Sequence, residues 1–87
     1  MALVHVPPLM RNLTHGNATV RGSGRTVAQV LAALEAAYPG FGQRLAPDGQ
    51  LRLGLAVAVD DHLAPEGLDS AVDDESAIRF VRVVGGG

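Results

Sequence analysis

The sequence lacks cysteine and lysine and has few aromatic residues, and each absence narrows the possible functions. Without cysteine, the chain cannot form a disulfide framework, a thiolate metal site or a cysteine nucleophile. All seven basic residues are arginine, so copies of the chain have no side-chain amine through which to link to one another. Aromatic residues make up only 3% of the chain and apolar residues 47%, which leaves valine, leucine, isoleucine and alanine to form the core.

Long hydrophobic runs are also missing. No segment reaches the apolar length of a membrane span, and the first residues lack the basic head and long apolar stretch of a signal peptide. We therefore expect a cytoplasmic protein without a membrane partner. A chain of 87 residues is one domain that buries roughly 60% of its unfolded surface. That length favours a compact carrier or binding module over an enzyme with its own lidded cavity.

Acidic residues are concentrated in one part of the chain. The net charge is −2, and seven of the nine acidic residues lie between positions 60 and 75. The negative sign disfavours a nucleic-acid partner. Two interpretations of the acidic stretch stay open: a solvated loop region, or a docking face that steers a basic partner surface.

The apolar pattern predicts two strands, a helix and three further strands. Alternation predicts strands over residues 2–6, 18–21, 51–59 (the longest), 62–64 and 78–84. Residues 9–17 and the run Gly22-Ser23-Gly24 read as turns or loops, and Leu68–Val72 as a helical turn. Apolar residues at three- and four-residue steps predict the helix, which begins at Thr26 with a capping box completed by Gln29 and ends at Pro39-Gly40. The order predicts a mixed sheet with the helix across one face.

The sequence ends in a glycine run. Gly85, Gly86 and Gly87 follow the predicted last strand, and three residues extend at most about 10 Å. Because glycine has no Cβ, such a tail can enter a narrow tunnel and take a carboxylate into the active site of a partner. A frayed glycine-rich terminus is the alternative.

The residues taken together resemble a known family. The strand and helix order, Val57-Ala58-Val59-Asp60-Asp61 and the terminal Val84-Gly85-Gly86-Gly87 resemble the MoaD/ThiS-type sulfur carriers, in particular the MoaD and CysO-like branches. The resemblance covers essentially the whole chain. It implies an α+β fold of the ubiquitin-like β-grasp type, with a mixed sheet of four to five strands and one main helix. The expected organisation is a β-grasp domain over residues 1–84 and a flexible tail over residues 85–87. Asp60 stands where asparagine is common, and Val83 and Gly85 where proline and alanine are common.

The resemblance also implies a mechanism and a set of partners. An adenylyltransferase of the ubiquitin-activating type uses ATP to join AMP to the Gly87 carboxylate, and a sulfurtransferase or another sulfur donor converts the adenylate to a thiocarboxylate. A downstream biosynthetic enzyme then accepts the sulfur. The resemblance implies that the chain itself is a co-substrate that has no catalytic residues and binds no cofactor, and that the ATP belongs to the partner.

Two valines are candidates for partner docking. Alternation along the last strand places Val81 and Val83 on the face away from Ile78 and Phe80, together with Arg79. Since the helix covers one face of the sheet, the other face is available to a partner. The alternative is that these valines are ordinary sheet residues covered by their neighbours.

The remaining polar residues do not form a metal site by their spacing. His5, His15 and His62 are scattered, and Asp60-Asp61-His62 reads as a polar turn. We therefore predict no metal.

Three function classes remain at this point. The first is a sulfur carrier, the second is a ubiquitin-like modifier joined to other proteins through Gly87, and the third is a binding module of the same fold. The final sulfur acceptor, whether molybdopterin, thiamin, cysteine, a tRNA base or a secondary metabolite, stays open.

Overall fold

The computed structural model describes residues 1–83. The strands and helices, in chain order, are β1 (Ala2–His5), β2 (Thr19–Gly22), α1 (Val27–Ala37), α2 (Phe41–Leu45), β3 (Leu55–Val59), β4 (His62–Leu63) and β5 (Ala77–Arg82). Short 3-10 helices cover Pro8–Thr14, Pro47–Gly49 and Gly67–Asp69. The predicted order of strands and main helix is confirmed.

The five strands form one mixed sheet in the order β2-β1-β5-β3-β4. β5 lies in the middle, parallel to β1 and antiparallel to β3. The hairpin of β1 and β2 is antiparallel, with Val4 opposite Val20. A central position gives β5 hydrogen-bonded neighbours on both sides, so the strand that leads to the C-terminus is firmly held.

The core lies between the sheet and α1, and it is aliphatic as the composition predicts. Val4, Ile78 and Val57 from the sheet are almost completely buried, as are Val30 and Leu34 of α1. Phe41, the first residue of α2, is also fully buried. Burial of a side chain of this size stabilises the fold by about 1.5–3 kcal/mol.

The start of α1 agrees with the predicted cap in part. The Thr26 side chain accepts a hydrogen bond from the Gln29 backbone N–H at 3.2 Å. The Gln29 side chain accepts its bond from the backbone N–H of Arg25 at 2.8 Å, instead of from that of Thr26. The second hydrogen bond of the capping box therefore comes from Arg25, one residue before the predicted donor. The two bonds together still satisfy two backbone N–H groups at the start of the helix.

Gly22 corrects the prediction of a loop at Gly22-Ser23-Gly24. Gly22 is the last residue of β2 and is buried. A Cβ at this position would lie 3.0 Å from a methyl group of Val30 and 3.1 Å from Leu34. The missing side chain therefore lets α1 approach β2 closely.

The third strand is shorter than predicted. It begins at Leu55 instead of Leu51, because Gly54 has a φ of +86°, which an extended strand does not allow. The Leu55 N–H donates to the Arg52 carbonyl at 3.1 Å, which closes a turn over these residues. β5, with six residues, is the longest strand.

Smaller differences concern element ends. The segment predicted as a turn over residues 9–17 contains the 3-10 helix Pro8–Thr14, and the predicted helical turn near Leu68 is the 3-10 helix Gly67–Asp69. β5 ends at Arg82, two residues before the predicted end. Among residues 1–83, no helix has the length and apolar character that crossing a membrane requires.

Candidate functional site

A hydrogen bond just beyond the C-terminal end of β5 fixes the last described residue before the glycine run. The Val83 N–H donates to the Gly54 carbonyl at 2.8 Å, one residue after β5 ends. The predicted sulfur-carrying residue Gly87 and the tail residues Gly85 and Gly86 lie outside the described residues. Val83 is therefore the position from which the reach of the tail is counted.

A groove lies at this end of the sheet, and we call it the tail-base groove. Its volume is about 460 Å³. Four separate parts of the chain form it: the start of the first 3-10 helix, the end of α2, the turn before β3 and the end of β5. The lining residues are Pro7, Leu9, Met10, Arg44, Leu45, Arg52, Leu53, Gly54, Leu55, Arg82 and Val83.

Local hydrogen bonds hold the groove residues in place. The Arg52 N–H donates to the carbonyl of Leu45 at 2.9 Å, which joins the turn before β3 to the end of α2. Arg44 is in the last turn of α2. Arg82 lies directly opposite Leu55 across the β3–β5 pair. Three arginines from three elements therefore surround one groove.

The charged residues that line the groove are all positive. Its lining includes three arginines and no acidic residue. The one ion pair found within residues 1–83 joins the N-terminal amine to Asp74 at 3.0 Å, so none of these guanidinium groups has a carboxylate within 4.0 Å in that part of the chain. The groove is a positively charged surface without an internal counter-charge there.

The two candidate docking residues lie in different surroundings. Val81 is opposite Ala56 in the β3–β5 pair, on the face away from buried Ile78, and is half-buried. Val83 follows β5 and lines the tail-base groove with 48% of its surface exposed. The structure thus assigns Val81 to the sheet face and Val83 to the groove. Whether either contacts a partner stays a prediction.

The sheet face that carries Val81 is called here the open sheet face. Leu3 and Val81 on this face are half-buried, and Arg79 is exposed. A nitrogen of the Arg79 guanidinium lies 3.4 Å from Nε2 of His5. This face is therefore apolar at its centre and carries a positive charge beside Val81.

Three residues of the acidic stretch lie near the other end of β5 and are bonded to the fold. Asp60 Oδ1 accepts a hydrogen bond from the Ala77 N–H at 2.9 Å, at the first residue of β5. Asp73 Oδ1 accepts from the Glu75 N–H at 2.8 Å. Asp74 pairs with the N-terminal amine. At least these three acidic side chains therefore have structural partners, which supports the interpretation as a loop region for them.

The predicted polar turn is present at Asp60-Asp61. Both residues have positive φ, at 51° and 68°, a conformation that aspartate tolerates better than most residues. Nδ1 of His62 lies 2.9 Å from the Asp60 carbonyl oxygen. In residues 1–83 no three histidine, aspartate or glutamate side chains lie together as a metal site would need.

Glu35 connects the two helices and positions the groove indirectly. Its carboxylate accepts hydrogen bonds from the backbone N–H of Gly40 at 2.6 Å and of Gln43 at 3.0 Å. These bonds, first of all the one from Gly40, lower the pKa of Glu35 from its ordinary value of 4.5. The charged carboxylate thus anchors the start of α2, the helix that carries Arg44.

Sequence patterns missed most of the groove. Leu53 fitted the alternation of a long third strand, yet its side chain is 98% exposed. Leu9, in the segment read as a turn, is 81% exposed. The available signal was Gly54, since a glycine inside a predicted strand often marks a break.

Comparison with known proteins places this geometry in a family. The model of the ThiS family matches residues 4–87. The chain belongs to the ThiS family. The resemblance to MoaD/ThiS-type sulfur carriers is therefore confirmed, and the match includes the glycine run.

Individual relatives agree with this family. The sulfur carrier protein CysO of Mycobacterium tuberculosis is 32% identical over 89 residues, which cover 97% of this chain and 96% of CysO. Its crystal structure superposes with a TM-score of 0.86, covering 97% of this chain and all of CysO. CysO is named a sulfur carrier protein, which confirms the expectation of a carrier instead of an enzyme.

Two further solved structures have the same fold as this chain. A chain in the BexX/CysO complex of Amycolatopsis orientalis has a TM-score of 0.87 and 27% identity, and the two chains cover each other completely. Small archaeal modifier protein 1 of Methanosarcina acetivorans has a TM-score of 0.78 and 22% identity, over 99% of this chain and 95% of its own. The ubiquitin-like β-grasp fold is thereby confirmed. The likeness to the modifier concerns the fold alone.

Proposed function

We propose that the chain is a sulfur carrier that works through the carboxylate of Gly87. The observation that carries the proposal is the ThiS-family match, which runs through the glycine run to residue 87. The name of CysO as a sulfur carrier, at 32% identity over nearly the whole length, supports it. The fixed position of Val83 at the end of the central strand adds a physical reason, because it defines where the tail begins.

The proposed reaction has two steps at the same carboxyl group, the first at one of its oxygens and the second at its carbon. A carboxylate oxygen of Gly87 attacks the α-phosphorus of ATP on a partner adenylyltransferase, and pyrophosphate leaves. Hydrosulfide then attacks the carbonyl carbon of the acyl adenylate, AMP leaves, and a proton is released. The first step is needed because a free carboxylate is a poor electrophile, whereas AMP is a good leaving group.

The contribution of the protein is delivery. The sulfur of the thiocarboxylate becomes the nucleophile in the active site of a downstream enzyme. Holding that atom on a short tail raises its effective concentration once the folded body has docked. The open sheet face around Val81 is the proposed docking surface for the partners. The enzyme that docks on this face determines which molecule accepts the sulfur.

The first test is adenylation. The host adenylyltransferase of the ubiquitin-activating type is incubated with labelled pyrophosphate, ATP and the chain, and label exchange into ATP is measured. The proposal predicts exchange that depends on the chain and disappears when an extra alanine follows Gly87, because the reacting carboxylate is then displaced. Exchange that is equal with the extended chain would contradict a role for the Gly87 carboxylate.

A second arm separates carrier from modifier. After adenylation, the mixture is supplied with hydrosulfide or with host proteins, and the products are separated by mass. A carrier gives a product with one oxygen replaced by sulfur. Attachment of Gly87 to lysines of other proteins, without a sulfur product, would replace the proposal with the modifier function.

A further inference from the structure

The tail-base groove has large apolar side chains that the fold leaves unused. Leu53 is 98% exposed and Leu9 81% exposed, and both border the groove. A leucine side chain that stays in water gives the fold none of the stabilisation that its burial would supply. Two exposed leucines beside one concave surface are typical of an interaction site.

The charges around these leucines indicate which chemical groups a bound partner would present. Arg44, Arg52 and Arg82 are exposed and line the same groove. Asp60, whose carboxylate accepts a hydrogen bond from Ala77 at the first residue of β5, is separated from Arg82 by the length of that strand, about 17 Å at 3.3 Å per residue. A surface with both cations and leucines matches a partner that offers carboxylates and an apolar side chain together.

The length of the tail limits where that partner can be. Val83 lines the groove, and Gly87 is four residues further along the chain. Four residues extend at most about 13–14 Å. An enzyme whose active site receives the Gly87 carboxylate must therefore place its active-site entrance within that distance of the groove.

We propose that the tail-base groove binds the rim of the adenylyltransferase active site, through an extended segment of that enzyme with an apolar side chain flanked by carboxylates. The proposal rests on the proposed function, since it assumes that the tail enters this enzyme. It adds a second contact surface, distinct from the open sheet face. Leu9 and Leu53 bury the apolar side chain, and the three arginines pair with the carboxylates.

The test compares two charge reversals of equal size. Arg52→Glu alters the groove, and Arg25→Glu alters an exposed arginine beside Asp73 and Asp74 at the other end of the molecule. The concentration dependence of pyrophosphate exchange gives kcat and KM for the chain at low and high salt. We expect Arg52→Glu to raise KM at least about tenfold at low salt and clearly less at high salt, with kcat unchanged, because the contact is electrostatic.

The Arg25→Glu control and two further variants make the test more specific. Arg25→Glu should change KM less than about twofold, and Arg52→Lys should retain most of the affinity because it keeps the charge. Leu53→Ser should raise KM about three- to tenfold at both salt concentrations, because this contact is apolar. Because Leu53 is almost fully exposed, its replacement removes no core packing, and thermal unfolding of each variant checks this.

Two outcomes would overturn the groove proposal. In the first, Arg52→Glu and Arg25→Glu have the same KM for the chain at both salt concentrations. In the second, Arg52→Glu raises the KM for ATP instead, which would make the groove a site for nucleotide phosphate. If the wild-type chain supports no exchange, the proposed function fails. In that case the groove is tested by binding alone: the Kd for the enzyme without ATP is measured for Arg52→Glu and for Arg25→Glu. Equal Kd values would overturn the groove proposal, and a higher Kd for Arg52→Glu would support it.

Discussion

The two ends of β5 carry opposite charges, and these charges have different roles. At its start, Asp60 accepts a hydrogen bond from Ala77, and Asp73 and Asp74 are bonded to neighbouring backbone and to the N-terminal amine. At its end, Arg82 lies in a groove whose lining contains no acidic residue. Charges at the start therefore maintain the fold, whereas charges at the end are available to a partner. Changes at the start should affect stability, and changes at the end should affect activity.

The largest effect is expected at the tail. Deletion of Gly86 and Gly87 should reduce adenylation and sulfur loading to background, because the reacting carboxylate is moved by two residues. The thermal midpoint should stay the same, since the deleted residues come after β5 in the sequence and the core described above is built from earlier residues. Asp74→Asn, at the start of β5, serves as the comparison and should retain activity. Substantial sulfur loading of the shortened chain would contradict the assignment of activity to the C-terminal end of β5 and the residues that follow it.

A smaller effect is expected on the open sheet face. Val81→Asp should raise the KM of the chain for its adenylyltransferase about tenfold, because a charge replaces an apolar contact at the interface. Val81→Thr, which has nearly the same shape, should raise it less. Unchanged sulfur loading of Val81→Asp, with the fold verified by thermal unfolding, would exclude this face as a docking surface.

At the start of β5 the expected effect is on stability. Asp60→Ala should lower the free energy of unfolding by about 1–2 kcal/mol, because it removes the bond to Ala77 and places alanine at a positive φ. Asp60→Asn keeps an acceptor oxygen and tolerates this φ, so it should be close to neutral. Denaturant unfolding measures both. A loss of activity per folded molecule in Asp60→Ala, with unchanged stability, would reverse the roles assigned to this residue.

The smallest effect concerns Glu35. Its pKa is lowered in the folded chain, so its stabilising contribution is present above the ordinary carboxyl pKa and is lost as the pH falls through the folded value, below 4.5. Thermal midpoints of the wild type and Glu35→Gln should differ at neutral pH and converge in acid. A difference that stays constant with pH would show that the charge of Glu35 does not matter.

Sequence patterns predicted the fold better than the site. Alternation and helical spacing depend on neighbouring residues, so the order of elements and the Thr26 cap could be predicted from the sequence. The third strand was extended too far because Leu51 and Leu53 continue its alternation, whereas the positive φ of Gly54 ends it. A single glycine thus outweighed a regular apolar pattern.

The groove could not be predicted from local patterns. Arg44, Arg52 and Arg82 come from three elements that are distant in sequence, and only the tertiary fold brings them together. The face expected for Val83 depended on continued alternation, yet β5 ends at Arg82. Residues beyond a strand end are no longer bound to its period of two.

The chemistry at Gly87 tests the sulfur-carrier function most directly. The chain is incubated with ATP, hydrosulfide and the host adenylyltransferase, treated with a thiol-alkylating reagent, and analysed by mass spectrometry of the C-terminal peptide. Because the chain has no cysteine, the reagent meets no other thiol. We expect ATP-dependent alkylation confined to Gly87. An unlabelled C-terminal peptide, with an adenylyltransferase that is active on this chain, would contradict it.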